Sequence, residues 1–399
     1  MKACGMIVEY NPFHNGHLYH LRQSKQQSNA EVIIAVMSGN FLQRGEPAII
    51  DKWHRAQSAL QNGADLVIEL PVEWSVQSAD YFAEGGLDLL HALGCENLCF
   101  GTDQSDEFDY QNLGKLLVTR QAELDKLYQS IDDPKLTYAQ KMMQVFQQFD
   151  AHIVFSPNQP NHILALSYAQ ANAKLANPLN LIAIKRIKAG YHDQKLPDFD
   201  LSNQENLNIA SATAIRNHFF AKQSIKEFIP ESSLIDLSSQ AVSWADFYPY
   251  LKYRILSSSH EQLQQIYQMV DGLEYKLKQV ITEVDAFDQL LQAIKSKRYT
   301  KTRLQRLLMY VLLNIQHEQI IEQQNQKIIH VLGFSEKGQQ YLRQQKKYCP
   351  YPIVTRMSKQ VANQKNLLIQ SDRIYQLANV TIKEQNFGRL PIRSTDFPK

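Results

Sequence analysis

A short apolar run, residues 3–8, leads directly into Glu9-Tyr10-Asn11-Pro12-Phe13-His14-Asn15-Gly16-His17, and no other stretch limits the fold of this chain as strongly. The run has the length and composition of a strand buried on both faces, the kind found inside parallel sheets. Asn11-Pro12 ends it, because proline lacks a backbone donor and pushes its predecessor out of the helical region. Beyond Gly16 the spacing of Leu18, Leu21 and Arg22 predicts a helix, so His14 and His17 fall where the loop becomes the first helical turn. A helix start offers free N–H groups and the positive end of its dipole, which makes the loop an anion site. Gly16 would let a phosphate approach the backbone, with the two imidazoles adding donors. Two other readings of the histidines exist: surface caps, or a metal-binding pair. No later Cys/His cluster supplies the remaining metal ligands, so no metal site is assigned.

The pattern then repeats. Residues 31–37 read as a second strand, ending in a polar loop, residues 38–45, whose Phe41 and Arg44 suit the wall of a site beyond the strand ends. A helix over 51–61, a strand over 64–70 closed by Pro71, a helix over 80–93 and a strand over 96–100 follow. Such alternation predicts βαβ units around a parallel sheet. Residues 110–149 read as a pair of inserted helices, 156–161 as a turn into a helix over 163–175, and 180–187 as another strand. Lys185, Arg186 and Lys188 at its end either counter phosphate charge or form a solvated edge. Ser211 is placed to cap a short helix, bringing Ser211, Thr213 and Arg216 to a second phosphate.

With 399 residues the chain accommodates two domains, divided here as 1–225 and 226–399. No apolar run is long enough to span a bilayer, and Met1-Lys2 leads straight into the first strand without a signal sequence, so a cytoplasmic protein is expected. Cys4, Cys95, Cys99 and Cys349 form no disulfide framework and read as thiols of a reducing compartment. The net charge of +2 hides an asymmetry: residues 1–150 carry 11 Lys+Arg against 20 Asp+Glu, and the rest 31 against 20. An acidic front and a basic back point to a polyanion handled by the second half. Helical spacing dominates from about residue 226, over 246–257, 259–282 and 285–295, with a possible strand over 327–332 and a helix through 347. Lys295, Lys297, Arg298, Lys301, Arg303 and Arg306 form a basic run without an acid, and Tyr299 lies among them. Such a run suits RNA phosphates and a stacked base, against the plainer reading of a solvated helix face.

Several stretches taken together resemble a known family: residues 5–17, 38–47, 63–71, 184–193, 210–216 and 299–306. The strand, His-x-Gly-His loop and helix look like the HIGH-type nucleotidylyltransferase superfamily, and Ser211-Ala-Thr-Ala-Ile-Arg216 resembles its second landmark. The whole set is similar to the bacterial tRNA(Met) cytidine acetate ligases. The resemblance implies an α/β, Rossmann-like nucleotidylyltransferase domain with a parallel sheet, followed by a mainly helical, basic, tRNA-binding domain. It implies ATP-dependent acetylation of N4 of the wobble cytidine of elongator tRNA(Met), with acetate as donor, acetyl-adenylate as intermediate, and AMP and pyrophosphate released. ATP contacts carry over to Ile7, Val8, Glu9, Tyr10, Asn11, Pro12, Phe13, His14, Asn15, Gly16, His17, Leu18, Tyr19 and His20, with Gly101, Asn161 and Arg186. His14 and His17 are the catalytic candidates, stabilising the departing pyrophosphate with Arg186 and Mg2+. Gly101 is followed by Thr102-Asp103 where the family pattern leads one to expect a glutamate-containing variant. Two rivals remain: a nucleotidylyltransferase moving AMP onto a small cofactor precursor, and a non-catalytic RNA-binding factor on the same fold.

Overall fold

The computed structural model describes residues 1–103, 108–133, 136, 138–149, 160–186 and 208–397. Its first part alternates β1 (Ala3–Val8), α1 (Asn15–Ser28), β2 (Val32–Ser38), α2 (Lys52–Gln61) and β3 (Leu66–Leu70). The chain goes on through α3 (Val72–Ser75), α4 (Ala79–Ala92) and β4 (Asn97–Thr102). Between β4 and β5 (Asn180–Lys185) stand α5 (Tyr110–Thr119), α6 (Gln121–Ser130), α7 (Tyr138–Phe149) and α8 (Pro160–Ala173). The insertion over 110–149 is thus three helices, where sequence spacing predicts two. The break falls at Arg120, which leaves the helical region and starts a new helix whose Glu123 pairs with it at 2.6 Å.

The sheet order is β5-β4-β1-β2-β3, all parallel, with Cys4 opposite both Ile33 and Asn97. Alternate residues point to opposite faces. Ile33, Ala35 and Met37 meet Leu21, Trp53, Ala56 and Leu60 under α1 and α2. Val32, Ile34 and Val36 meet Phe82, Leu87, Leu90 and Leu166 under α4 and α8. Each large apolar side chain removed from water here contributes about 1.5–3 kcal/mol, and the buried Glu69 on β3 is accommodated with Lys52 and His330 as partners. Because β2 and β3 extend the sheet to one side of β1 while β4 and β5 extend it to the other, strand order reverses at the β1/β4 boundary. Ligands of open α/β sheets bind in the crevice at such a reversal.

After residue 208 the chain is mainly helical: α9 (Ala212–Phe220), α10 (Glu231–Gln240), α11 (Trp244–Ser257), α12 (His260–Gln264), α13 (Leu273–Val280), α14 (Phe287–Ile294), α15 (Lys301–Leu313) and α16 (His317–Asn325). The helix expected over 259–282 is two, because Gln268, Asp271 and Gly272 adopt positive φ between them. Phe247, Leu251, Leu277, Leu290, Leu308 and Leu312 build a separate core, which also takes Phe41, Val72 and Val76 from the first part. Strand β6 (Ile329–Phe334) then returns to the main sheet and pairs antiparallel with β3. The helix after it, α17 (Glu336–Gln345), ends two residues before the expected limit. β7 (Ile353–Val354), α18 (Lys359–Gln364), α19 (Asn366–Gln376) and β8 (Ile392–Arg393) complete the chain. The sheet therefore draws β6, β7 and β8 from beyond residue 226, all three parallel to one another. Among the described residues no helix is long and apolar enough to cross a membrane.

Candidate active site

The β1–α1 turn is built by its own side chains. His14, extended at φ −141° and ψ 174°, is the N-cap of α1: its Nδ1 accepts the Gly16 amide at 3.0 Å, and His17 Nδ1 accepts the His14 amide at 3.3 Å. The two histidines thus form a reciprocal capping box, a role usually taken by Ser/Thr and Glu. This revises the sequence expectation for Gly16. Its amide points to the His14 ring, and a side chain there would stand 2.9 Å from His14 Cε1, so glycine is needed for imidazole packing. With both Nδ1 atoms accepting, the ring proton is assigned to Nε2 in each case, leaving a donor on the far edge of each ring. The rings stack at 3.7 Å between centroids, and the Tyr10 ring meets His17 edge-on at 4.9 Å.

Burial strips water from these imidazoles, and the nearby Arg186 adds repulsion. His14 is pushed down to about 3 and His20 to about 4, while His17 lies well below its ordinary value through burial and its two neighbouring histidines. All three are neutral at physiological pH. An unfolded histidine takes up its proton near pH 6.5, so between that value and the folded ones the unfolded chain binds more protons. Stability contributed by these rings is complete above pH 6.5 and is lost as pH falls toward 4. The expected slope is about 1.4 kcal/mol per pH unit for each histidine. Urea titrations between pH 4 and 7 should show it, and His20→Gln should reduce it by one proton; an unaltered slope in that variant refutes the assignment for His20.

Around this turn lies a cavity of about 550 Å3 at the β1/β4 crevice. Of the residues carried over from the family resemblance, Ile7, Val8, Glu9, Tyr10, Asn11, His14, Gly16, His17, Tyr19, His20, Gly101, Asn161 and Arg186 line it, as do Ser211, Thr213 and Arg216. Pro12, Phe13, Asn15 and Leu18 do not. Phe13 packs in the core beside Tyr10, Leu18 lies against the same core, and the Asn15 amide donates to the carbonyls of Asn208 and Glu227 at 2.9 and 2.8 Å. Asn15 thereby ties the turn to the segment that carries Ser211. Ser211 caps α9 by accepting the Ala214 amide at 3.0 Å. Arg216 reaches back to the Asn11 carbonyl at 2.8 Å and Glu46 at 3.3 Å, so it braces the β1 loop as well as bordering the cavity. Asp103, the departure from the family pattern, accepts both bonds from the Asn161 amide at 2.9 and 3.1 Å and fixes its direction.

The loop after β2 contributes as expected in part. Gln43, Arg44 and Glu46 line the cavity, and the half-buried Glu9 carboxylate, pushed up by loss of water around it, accepts the Gln43 amide at 2.7 Å. Phe41 instead turns away, into the helical core, where its ring meets Phe247 and Tyr375 edge-on. Sequence reasoning missed Phe82, Phe100, Leu164 and Tyr168, which make an apolar wall, and Thr300 and Thr302 at the start of α15, where Arg306, expected from the sequence to meet tRNA, also lines the cavity. Their signal is absent from any local window: they arrive from four separate elements. Lys185, Arg186, Arg216, Arg44 and Arg306 face the cavity against two carboxylates, Glu9 and Glu46. Such an excess of fixed cations beside neutral N–H donors suits a polyphosphate. Ser156, Pro157, Asn158 and Gln159, and the segment from Ile187 through Lys188 to Asp193, lie outside the described residues.

The basic run corrects two expectations. Tyr299 offers no face to a base: it is only 4% exposed, its hydroxyl donates to Asp271, and the Arg303 guanidinium lies over its ring at 4.2 Å. Arg298 is not unpaired, since Asp271, distant in sequence from the run, meets it at 3.1 Å. Lys295 turns its ammonium onto the carbonyls of Ser296 and Tyr299, whereas Lys297 and Lys301 are exposed.

The model for HIGH Nucleotidyl Transferase matches residues 1–389. The tRNA(Met) cytidine acetate ligase of Latilactobacillus sakei is 43% identical over 98% of this chain and 97% of its own length. That of Streptococcus agalactiae serotype III is 42% identical over 99% and 98%. The crystal structure of Thermotoga maritima TmcAL (apo, form I) superposes with a TM-score of 0.88 at 28% identity, covering 98% of this chain and 99% of that one. The same protein bound with alpha-thio ATP superposes at 0.85. The chain belongs to the HIGH nucleotidyl transferase family and, within it, to the tRNA(Met) cytidine acetate ligases.

Proposed function

We propose that this chain uses ATP and acetate to form N4-acetylcytidine at the wobble position of elongator tRNA(Met). The observation that carries the reading is the pair of stacked, neutral imidazoles at the β1/β4 crevice, each with its ring proton assigned to Nε2, ringed by Lys185, Arg186 and Arg216. One acetate oxygen attacks the α-phosphorus of ATP, the bond from that phosphorus to the bridging oxygen breaks, and pyrophosphate leaves as acetyl-adenylate forms. Charge grows on the departing oxygens, where His14 and His17 act as donors already in place and therefore lose no reorganisation energy. N4 of the cytidine then attacks the acyl carbon, the bond to AMP breaks, and the amine gives up a proton. That amine is a weak nucleophile, so holding it in line matters more than a strong base.

Mg2+ would neutralise part of the phosphate charge. Among the described residues no three of His, Cys, Asp and Glu gather to cage a metal, which fits an ion held by the nucleotide's phosphates and one or two carboxylates. Glu9 and Glu46 are the carboxylates lining the cavity. An anticodon loop can splay its bases outward, so the cytidine is reachable without melting a duplex.

Incubation with ATP, labelled acetate and bulk tRNA, followed by nucleoside analysis, tests the reading. Label is expected in cytidine, dependent on ATP. Pyrophosphate release that needs a small co-substrate and leaves RNA unlabelled would assign the chain to AMP transfer instead.

A further inference from the structure

A second cavity, about 1,430 Å3, lies between the inserted helices and the start of α15. It is too large for acetate, and it exceeds the roughly 300–1,000 Å3 that serves small molecules. Ala79, Ile163, Thr300 and Arg306 line both this cavity and the smaller one, so the two meet edge to edge at those side chains. At the join stands Arg306, largely buried, whose Nε has no hydrogen-bond partner among the described residues. The groups whose charges act on it include two more guanidiniums, Arg303 on the large cavity and Arg44 on the small one. A buried guanidinium nitrogen without a hydrogen-bond partner among the described residues, set beside a second guanidinium on the same helix, is a place for an anion.

The opposite wall is different in kind. Asp80 and Glu84 on α4 and Asp125 on α6 are acidic, while Tyr81, Tyr128 and Phe146 add ring surface. Tyr81 is 47% exposed and so presents ring surface to the cavity. Phosphates are repelled by this wall, whereas base faces stack on its rings and exocyclic amines donate to its carboxylates.

Resting on the proposed acetyl transfer to RNA, we propose that the large cavity is the seat of the single-stranded RNA segment carrying the acceptor cytidine. Its sugar-phosphate chain follows Arg303 and Arg306 on α15. A base flanking the cytidine lies against Tyr81, and the cytidine itself passes Arg306 into the smaller cavity. The basic run thus works through its inward face, and the exposed Lys297 and Lys301 add only long-range attraction.

An anticodon stem-loop with 4-thiouridine next to the acceptor position tests this by photo-cross-linking to the full chain. Cross-links are expected in residues 79–92, 121–130 or 300–306, and cross-links confined to other surfaces would overturn the proposal. In a second arm, Tyr81→Ala should weaken RNA binding about 10-fold and Tyr81→Trp should restore it, with ATP-analogue affinity unchanged in both. Arg306→Gln should raise the KM for RNA by more than that for ATP. A rise confined to ATP would give this anion site to the triphosphate and remove Arg306 from the RNA path. Wild-type RNA affinity in Tyr81→Ala would sink the proposal. Failure of the wild-type chain to label cytidine at all would instead count against the acetyl-transfer reading, and the cross-links would still report on the groove.

Discussion

Replacing His17 with alanine, or His14 with alanine, is expected to lower acetyl transfer by on the order of 10²–10³ each, while tRNA binding stays within a few-fold of wild type. The reason lies in the far edge of each ring. Nδ1 is occupied by a backbone amide in both, so the chemistry depends on Nε2–H. Alanine at position 14 also removes the cap of α1, at a cost of about 1 kcal/mol, so one substitution mixes two effects. His14→Asn separates them: asparagine accepts the Gly16 amide as a good N-cap but places no donor where Nε2 stood. We expect His14→Asn to melt close to wild type and to be nearly as inactive as His14→Ala. Single-turnover assays with labelled acetate, paired with filter binding of tRNA, measure both quantities. Full turnover in His14→Asn would show that position 14 matters only as a cap.

The second large effect concerns stability. Lys52 is fully buried, with its ammonium 2.9 and 2.8 Å from the Glu69 oxygens and 2.6 Å from Asp372. His330 Nδ1 meets the same Glu69 carboxylate at 2.6 Å, and the Asn40 amide bonds Asp372 at 2.8 Å. Burial works against the Glu69 carboxylate, yet Lys52 and His330 hold it down at about 2; burial pushes Asp372 up to about 6. Lys52→Met leaves the buried Glu69 and Asp372 carboxylates without their shared ammonium, which should cost about 3–5 kcal/mol. Urea unfolding is the measurement. A midpoint equal to wild type would mean that the cluster contributes nothing. Adding Asp372→Leu should recover part of the loss, because one of the stranded charges is removed with its partner. The cluster joins α2 and β3 to α19, residues more than 300 apart in sequence, so we expect the loss across the whole molecule.

Much of the site was legible in the chain because its determinants are local. A strand that ends at a proline, then histidines at a helix start, places the turn, and the strand–helix alternation places the sheet. The basic character of Lys185 and Arg186 was equally visible. What Gly16 does was not, since whether a glycine receives a phosphate or an imidazole depends on where one side chain turns. Tyr299 shows the same limit. Its basic neighbours suggested a stacking surface, but Asp271, brought over by the bend at Gly272, drew the hydroxyl inward. Gly45, at φ +74°, was unremarkable in sequence, yet any side chain there would strike the Arg306 backbone at 2.6 Å. That contact sets α15 beside the β2 loop.

By itself the sequence determined the parallel sheet, the strand–loop–helix turn that carries the two histidines and the cationic strand end, since apolar periodicity and helix-start signals act over a few neighbouring residues. Only the tertiary structure decided that β6 rejoins the sheet beside β3, that α15 brings Arg306 to the edge of the β1/β4 crevice, and that Asp372 neutralises Lys52. Those pairings are settled by competition for buried surface and counter-charge among segments far apart in the chain. No local pattern records which of them wins.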